Sequence, residues 1–224
     1  MNRNNEWKLL LCMILILSLQ LVGYIFFPNK ARAADNTIYI DSVGNNNEVV
    51  VNQYGSGHMA SVAIGTYLPT NNTDLTSGYG IGTQNYGGTT DYNYVGIRQQ
   101  GVGNKTATVE IPTGTYNFVT VFQDGTGNHS AAIQNLQGNN NYIGIVQNDS
   151  GNHTMNITNN VGTTNSNNTI NTTQTGAGDK SFALTMAGSN GATVTVQQTN
   201  PTQANTGAMT IQCNPCGAYS YTRQ

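Results

Sequence analysis

A short motif returns at nearly even intervals along the chain, and this repetition restricts the possible folds more than any other feature. Six segments have the pattern apolar-x-apolar-x-Gln, with Thr172 as the one polar exception, and they end at Gln53, Gln99, Gln123, Gln147, Gln174 and Gln198. The intervals between these glutamines are 46, 24, 24, 27 and 24 residues. A degenerate copy, with Thr76 in the place of glutamine, lies at the middle of the longest interval. We therefore count seven repeats.

Each repeat is expected to form two strands joined by a tight turn. Two residues before the glutamine, on the same side of the first strand, stand Val51, Ile97, Val121, Ile145 and Val196. The turn then holds residue types that tolerate a positive φ, namely Gly55, Gly101, Asn104, Gly125, Asn128, Asn152 and Gly176. A second alternating run follows, as in Ala107, Val109 and Ile111. Alternation on both sides of a turn predicts strand, turn, strand.

A single unit of this kind cannot cover its own apolar face, so successive units are expected to stack. Even spacing keeps equivalent residues in register, and the glutamines then form an internal column with a gap at Thr76. A glutamine side chain has a donor and an acceptor, and it can therefore bond to its copy one rung away. The sequence predicts an all-β, amyloid-like β-solenoid of about seven repeats of 23–27 residues, occupying 49–211.

The composition suits stacking of the chain with its own copies. Only 8% of the residues are charged, whereas a soluble domain normally has about 25%. Uncharged polar surfaces do not repel their copies; the same composition also occurs in disordered tracts, and the regular period favours the ordered alternative. Beyond residue 33 the net charge is −5, which argues against nucleic acid as a partner.

The N-terminus has the pattern of a secretory signal peptide. Basic residues precede an apolar run from Leu9 to Phe27, and Ala31-Arg32-Ala33 has the small-x-small pattern of a cleavage site. We expect residues 1–33 to be removed, 34–48 to form an N-terminal segment, and the protein to be secreted. A retained membrane anchor is the alternative, because the apolar run is nearly long enough to span a bilayer.

The C-terminal tail, 212–224, contains Cys213-Asn214-Pro215-Cys216. In an exported chain these two thiols are able to close a small disulfide ring. A thioredoxin-like βαβ unit, which a redox site needs, is absent from the pattern. We expect the tail to staple or cap the last rung by folding back over it.

No arrangement of catalytic or metal-binding residues stands out, and we expect neither an enzyme nor a cofactor. His58, His129 and His153 fall in the turns, where they are interpreted as ordinary turn residues rather than metal ligands. Asp124, Asp149 and Asp179 lie near the same turns without a base or a pocket, and they are interpreted as charges that limit strand addition.

The repeats resemble those of the curlin family, the subunits of curli fibres. The similarity is closest from Gln123 to Gln134, where the text reads Gln-Asp-Gly-Thr-Gly-Asn and ends in a second glutamine, and it extends over roughly Val49 to Ile211. The resemblance implies a major or minor subunit that is exported through an outer-membrane machinery. It also implies nucleation by a sister subunit into a surface amyloid of the biofilm matrix.

Two functions remain open at this stage. The first is a structural subunit that polymerises with itself into an extracellular amyloid-like fibre for surface adhesion and biofilm. The second is a monomeric, secreted β-solenoid adhesin. A polysaccharide-degrading β-helix enzyme would need carboxylates or arginines clustered on one face, which the sequence does not show.

Overall fold

A computed structural model describes residues 35–42, 44–65, 90–134, 137–159 and 164–224. They belong to one compact unit, Ala34–Gln224. The described residues form fourteen β-strands and no helix. None of the described residues belongs to a helix long and apolar enough to cross a membrane. The predicted signal peptide lies outside the described residues.

The strands alternate between two parallel sheets of seven strands each. Sheet A contains, in spatial order, β1 (Thr37–Ser42), β3 (Met59–Ile64), β5 (Lys105–Ile111), β7 (His129–Gln134), β9 (His153–Asn159), β11 (Lys180–Met186) and β13 (Asn205–Ile211). Sheet B contains, in the same direction, β2 (Glu48–Gly55), β4 (Tyr94–Gly101), β6 (Phe118–Gln123), β8 (Tyr142–Gln147), β10 (Thr169–Gln174), β12 (Thr193–Gln198) and β14 (Ala218–Arg223). Each rung therefore consists of a sheet B strand, a turn and a sheet A strand.

This arrangement confirms the predicted β-solenoid, with about six turns rather than seven. The degenerate copy at 76–80 lies outside the described residues. The expected gap at Thr76 is wrong, because β2 pairs directly with β4 and Gln53 stands opposite Gln99. Similarly, β3 pairs with β5. No rung is therefore inserted between β2 and β4 or between β3 and β5, and the internal columns continue directly from Gln53 to Gln99.

The core lies between the two sheets and is built by the period-2 alternation of the strands. In β6, for example, Val119, Val121 and Gln123 are buried, while the residues between them face outward. The parallel register places equivalent residues directly above one another, as in Val119 opposite Ile143 and Val121 opposite Ile145. Apolar columns from both sheets merge into one continuous cluster along the stack. This burial is what makes stacking favourable, because one unit alone leaves its inner faces in water.

Both terminal segments contribute a strand to the stack. β1 comes from the segment 34–48 and pairs with β3. β14 comes from the tail and pairs with β12, so the tail continues sheet B instead of folding back over the last rung. Tyr219 and Tyr221 of β14 continue the inward columns of Val194 and Val196, which gives the physical reason: the same alternation that builds each rung extends into the tail.

Candidate assembly site: the side-chain ladders and the ends of the stack

The six glutamines form an unbroken ladder of side-chain hydrogen bonds. In each step Nε2 of one glutamine donates to Oε1 of the next, from Gln53 toward Gln198. The five donor–acceptor distances lie between 2.7 and 2.9 Å. Gln99, Gln123, Gln147, Gln174 and Gln198 are each 0% exposed. A chain of amides in a dry interior is well satisfied only when every member is present, so the ladder specifies register as well as stability.

The same glutamines also connect the two sheets. The second hydrogen of Nε2 in Gln99 is donated to the main-chain oxygen of Met59, which lies in the sheet A strand of the preceding rung, over 2.9 Å. Gln123 makes the equivalent bond to Thr106 over 3.0 Å. Each sheet B strand that carries a ladder glutamine is thereby tied to the sheet A strand of the preceding rung or, for β2, to β1.

A second ladder of asparagines runs along the other end of the sheet B strands. It consists of Asn47, Asn93, Asn117, Asn141 and Asn168. In each step Nδ2 donates to Oδ1 of the asparagine one rung nearer the N-terminus, over 2.9 to 3.1 Å. The asparagine ladder therefore donates in the direction opposite to the glutamine ladder.

The asparagine ladder was missed at the sequence level, although a signal for it exists. Each of its members stands six residues before a motif glutamine. The main chain uses the same oxygens: the amide nitrogens of Asn117 and Asn141 donate to the preceding Oδ1 over 3.0 and 3.1 Å. In a polar chain rich in asparagine, only alignment to the repeat separates these residues from the exposed ones.

The predicted turn residues lie together along one edge of the stack. Gly55, Gly101, Gly125 and Gly176 all have a positive φ, between 99° and 123°. In the fourth turn Asp149 adopts φ 82° at the equivalent position. The turn asparagines are linked as well: the amide of Asn104 donates to Oδ1 of Asn128, and that of Asn128 donates to Oδ1 of Asn152, both over 2.9 Å.

The acidic turn residues are part of this hydrogen bonding. Asp179 accepts from the amide of Asn152 over 2.8 Å, in the column of turn asparagines. Asp149 accepts from the amide of Gly176 over 3.0 Å, and Asp124 accepts from Nε2 of Gln100 over 2.7 Å. Their carboxylates satisfy turn donors, which is a structural role.

A column of buried basic side chains follows directly after the turns. It contains His58, Lys105, His129, His153 and Lys180, each between 0% and 2% exposed. Except for His58, each stands six residues after its glutamine. Their nitrogens bond to main-chain oxygens of the turns: Nζ of Lys105 donates to Gly103, Gly125 and Gly127 over 2.8 to 3.0 Å. The three histidines are thus internal residues, and the prediction that they are ordinary turn residues missed this burial.

Burial governs the titration of this column. It lowers the pKa of His129 from 6.5 to about 4, with a smaller lowering contribution from His153 and Lys105. Burial is also the main cause that lowers the pKa of His153 and of His58. The rings of His129 and His153 stack with centroids 4.9 Å apart. These histidines are therefore neutral at neutral pH, and their rings pack as part of the interior.

The outer face of sheet B carries rows of aromatic rings. Tyr94, Phe118 and Tyr142 stack in sequence, with centroids 4.6 and 5.2 Å apart. Beside them Arg98 lies 5.6 Å from the ring centre of Phe122. A shallow groove of about 220 Å³ lies between Tyr94 on one side and Arg98 and Phe122 on the other. The rings face one another along the stack and present their edges to solvent. Equivalent side chains of successive rungs therefore contact one another on the surface as well as in the interior.

The predicted core residues all occupy inward positions. Ile97, Val121, Ile145 and Val196 are between 0% and 2% exposed. Val51, in the first rung, is partly buried and packs against the same cluster.

Cys213 and Cys216 are joined by a disulfide at the corner between β13 and β14. The hydroxyl of Tyr219 donates to Sγ of Cys213 over 3.1 Å. The disulfide thus supports the start of the last strand.

The described part of the chain contains no group of three or more His, Cys, Asp or Glu side chains placed to hold a metal ion. Comparison of the chain with protein-family models, curated proteins and solved structures gave no match. The arrangement of ladders, turns and ends is therefore the basis for a functional interpretation.

Proposed function

We propose that this protein is the structural subunit of an extracellular, amyloid-like fibre that serves surface adhesion and biofilm formation. The single observation that carries the proposal is the pair of ladders in register along successive rungs, glutamines from Gln53 to Gln198 and asparagines from Asn47 to Asn168. Each step of a ladder is an interaction between equivalent residues of successive rungs, and nothing in its chemistry distinguishes a rung of the same chain from a rung of another copy.

The ends of the stack support this proposal. β1 and β2 at one end, and β13 and β14 at the other, have no further described strand at their outer edges. Parallel strands with unpaired main-chain groups are templates for strand addition. A monomeric solenoid usually protects such ends with a capping element. At the C-terminal end, the hydroxyl of Tyr221 donates to the main-chain oxygen of Thr206 over 3.3 Å. Among the described residues, this contact is a small obstruction of this kind.

The chemistry of the surface is compatible with close association of copies. The chain has few charged residues, and the exposed strand faces carry Thr, Asn, Ser and Tyr instead. Secretion, a sister subunit that nucleates growth and an outer-membrane export machinery are part of the proposal through the resemblance of the repeats to curlins. The protein is not proposed to be an enzyme or to bind nucleic acid.

The test is polymerisation of the purified protein, as the full chain and as the compact unit Ala34–Gln224. We expect unbranched fibres in electron microscopy, a rise in Thioflavin T fluorescence, and abolition of the lag phase by added fibre fragments. A protein that remains monomeric in sedimentation for days at high concentration contradicts the proposal and favours the adhesin. Fibres seen only with residues 1–33 attached would also contradict it, because the stack itself is proposed to polymerise.

A further inference from the structure

We propose that two copies join through a composite rung, in which β14 of one copy and β1 of the next lie on opposite sheets and Arg223 donates to Gln53 across the joint. This inference rests on the proposed function, since it specifies how the copies of a fibre meet.

The two ends of the stack differ by half a rung in a complementary way. At the N-terminal end sheet A extends one strand beyond the first complete rung, through β1. At the C-terminal end sheet B extends one strand beyond the last complete rung, through β14. When the ends meet, β13 is followed by β1 in sheet A and β14 is followed by β2 in sheet B. Both sheets then continue without a missing or a surplus strand.

The register of the joint follows from the columns that already exist within one copy. In sheet B the column that contains Gln198 continues to Arg223 at the C-terminal end and begins with Gln53 at the N-terminal end. In sheet A the column that contains Leu184 continues to Met209 and begins with Ile40. Extending these columns places Arg223 next to Gln53 and Met209 next to Ile40. The charged members of the joining strands, Asp41, Glu48 and Arg223, then fall opposite uncharged residues.

Within the described part of one copy, neither half-rung has a strand of the other sheet opposite it. Ile38 and Ile40 of β1 point inward, in the columns of buried Ala60 and Val62, yet they are 49% and 46% exposed. Their exposure arises because no described strand of sheet B completes their rung. In the joint, β14 takes that place.

On the other half-rung, Tyr219 and Tyr221 occupy the inward positions and are only partly buried. The Tyr221 ring lies over Gly207, whose missing side chain makes room for it, and contacts Phe182 with centroids 4.8 Å apart. In the joint the other side of the ring meets Ile38 of the next copy. The Tyr221 hydroxyl then leaves the oxygen of Thr206, which accepts from the main chain of β1.

One polar atom identifies the partner at this end. Oε1 of Gln53 is buried and has no hydrogen-bond partner, whereas Oε1 of each later glutamine accepts from the glutamine before it. The ladder therefore needs a donor on the N-terminal side of Gln53. Arg223 continues the same column at the opposite end, and its guanidinium only donates. Arg223 would suit no interior position of this ladder, since every interior residue must also accept.

A charge-exchange experiment tests the joint. Gln53 and Arg223 lie at opposite ends of a stack with six strand spacings, roughly 29 Å, so they cannot interact within one copy. Arg223→Glu places a carboxylate opposite the oxygen of Gln53, and Gln53→Arg places two guanidinium groups together; each change is expected to slow seeded elongation about tenfold or more. The double variant forms an ion pair across the joint and is expected to recover to within about threefold of the original rate.

Three comparisons make the result specific. Arg223→Gln retains a donor and is expected to elongate at nearly the original rate. Arg98→Glu changes an exposed arginine on the outer face of β4, a strand paired on both edges within one copy, and is expected to leave the rate within about twofold. Urea unfolding of freshly dissolved protein should show no coupling between positions 53 and 223, because the coupling is between copies.

The outcomes separate this inference from the proposed function. If the unmodified protein forms fibres but the two single changes add without recovery, or if Arg223→Glu elongates normally, the joint is wrong and the fibre proposal stands. If the unmodified protein forms no fibre, both are wrong. The composite rung is supported if elongation is slow in both single variants and returns toward the original rate in the double variant.

Discussion

Nδ2 of Asn117 donates to Oδ1 of Asn93 over 3.0 Å, although the two residues are 24 positions apart and each is only 1% exposed. The same Nδ2 donates to the main-chain oxygen of Gly138 over 2.8 Å. One side chain thus connects three segments that the sequence separates. Because these bonds lie in a dry interior, the loss of one member leaves several polar groups without partners.

We expect Asn117→Ala to lower the free energy of unfolding by about 2–4 kcal/mol, since Asn141 also loses its acceptor. Urea unfolding of freshly dissolved, monomeric protein measures this difference. The matched control is Asn156→Ala, an exposed asparagine on the outer face of β9, with an expected change below about 0.5 kcal/mol. Equal effects of the two changes would contradict a structural role for the ladder.

Loss of one amide donor from the glutamine ladder is expected to destabilise the protein. Gln123→Glu keeps the side-chain length but removes the bonds to Gln147 and to the oxygen of Thr106, and it buries a carboxylate. We expect the free energy of unfolding to fall by about 3 kcal/mol or more at pH 7, relative to the unmodified protein at the same pH. This difference should become smaller near pH 4, where the introduced group becomes a neutral donor. Gln197→Glu, exposed in β12, is the control, and stability indifferent to both changes would refute the role.

The inward parity of the strands gives a third prediction. Changing Val121 and Ile145 to Asp places two charges in one buried column, and we expect loss of β-structure in circular dichroism and loss of protease resistance. The control changes Thr120 and Val146, their neighbours on the outer face, to Asp and should fold. A folded inner variant would show that the parity of these strands is wrong by one residue.

Stability is expected to depend on pH through His129. Its pKa falls from 6.5 to about 4 on folding, so the unfolded chain binds the proton more tightly. The contribution of His129 to the free energy of unfolding is therefore complete above about pH 6.5. It decreases by up to roughly 3 kcal/mol as the pH falls toward 4. Urea unfolding between pH 4 and 7.5 measures it against His129→Gln, which does not titrate.

The comparison with the variant is necessary because other groups titrate in the same range. Burial raises the pKa of Glu110 to about 7, which changes stability in the opposite direction. The pKa values of His153 and His58 are lowered as in His129. These contributions are largely common to both proteins, and only the difference reports His129. Identical pH profiles would mean that this histidine is not buried as a neutral ring.

Gly125 is expected to be irreplaceable in its turn. Its φ is +99°, and a Cβ there would overlap the main-chain oxygen of Asp149 in the next rung. We expect Gly125→Ala to cost about 2 kcal/mol or more, through both backbone strain and separation of the rungs. Gly217→Ala is the control, since a Cβ at Gly217 meets no atom within 4 Å. Equal unfolding free energies of the two variants would contradict the close stacking of the turns.

Several features of the fold are local, and the sequence by itself was sufficient to determine them. The alternation around Val121 sets which side chains point inward, because side chains in a strand alternate with a period of two. Gly55, Gly101, Gly125 and Gly176 mark turns because few other residues adopt their φ. The interval of 24 residues between Gln99 and Gln123 sets the length of one rung, and from it the glutamine ladder follows.

Only the tertiary structure decided which rungs are neighbours and what lies inside them. The direct pairing of Gln53 with Gln99 across 46 residues could not be read from the interval, because an interval of two periods is equally compatible with an intervening rung. The burial of Lys105 and His129 was unexpected because their polarity suggests a surface position. It is tolerated because turn oxygens receive their hydrogen bonds: Nζ of Lys105 donates to Gly125 and Gly127 of the next rung, and Nε2 of His129 donates to Asp124 of its own turn. The partners of Lys105 in the next rung are 20 and 22 residues away in sequence and meet it only when the rungs stack, since strand pairing is a long-range interaction that local alternation does not encode.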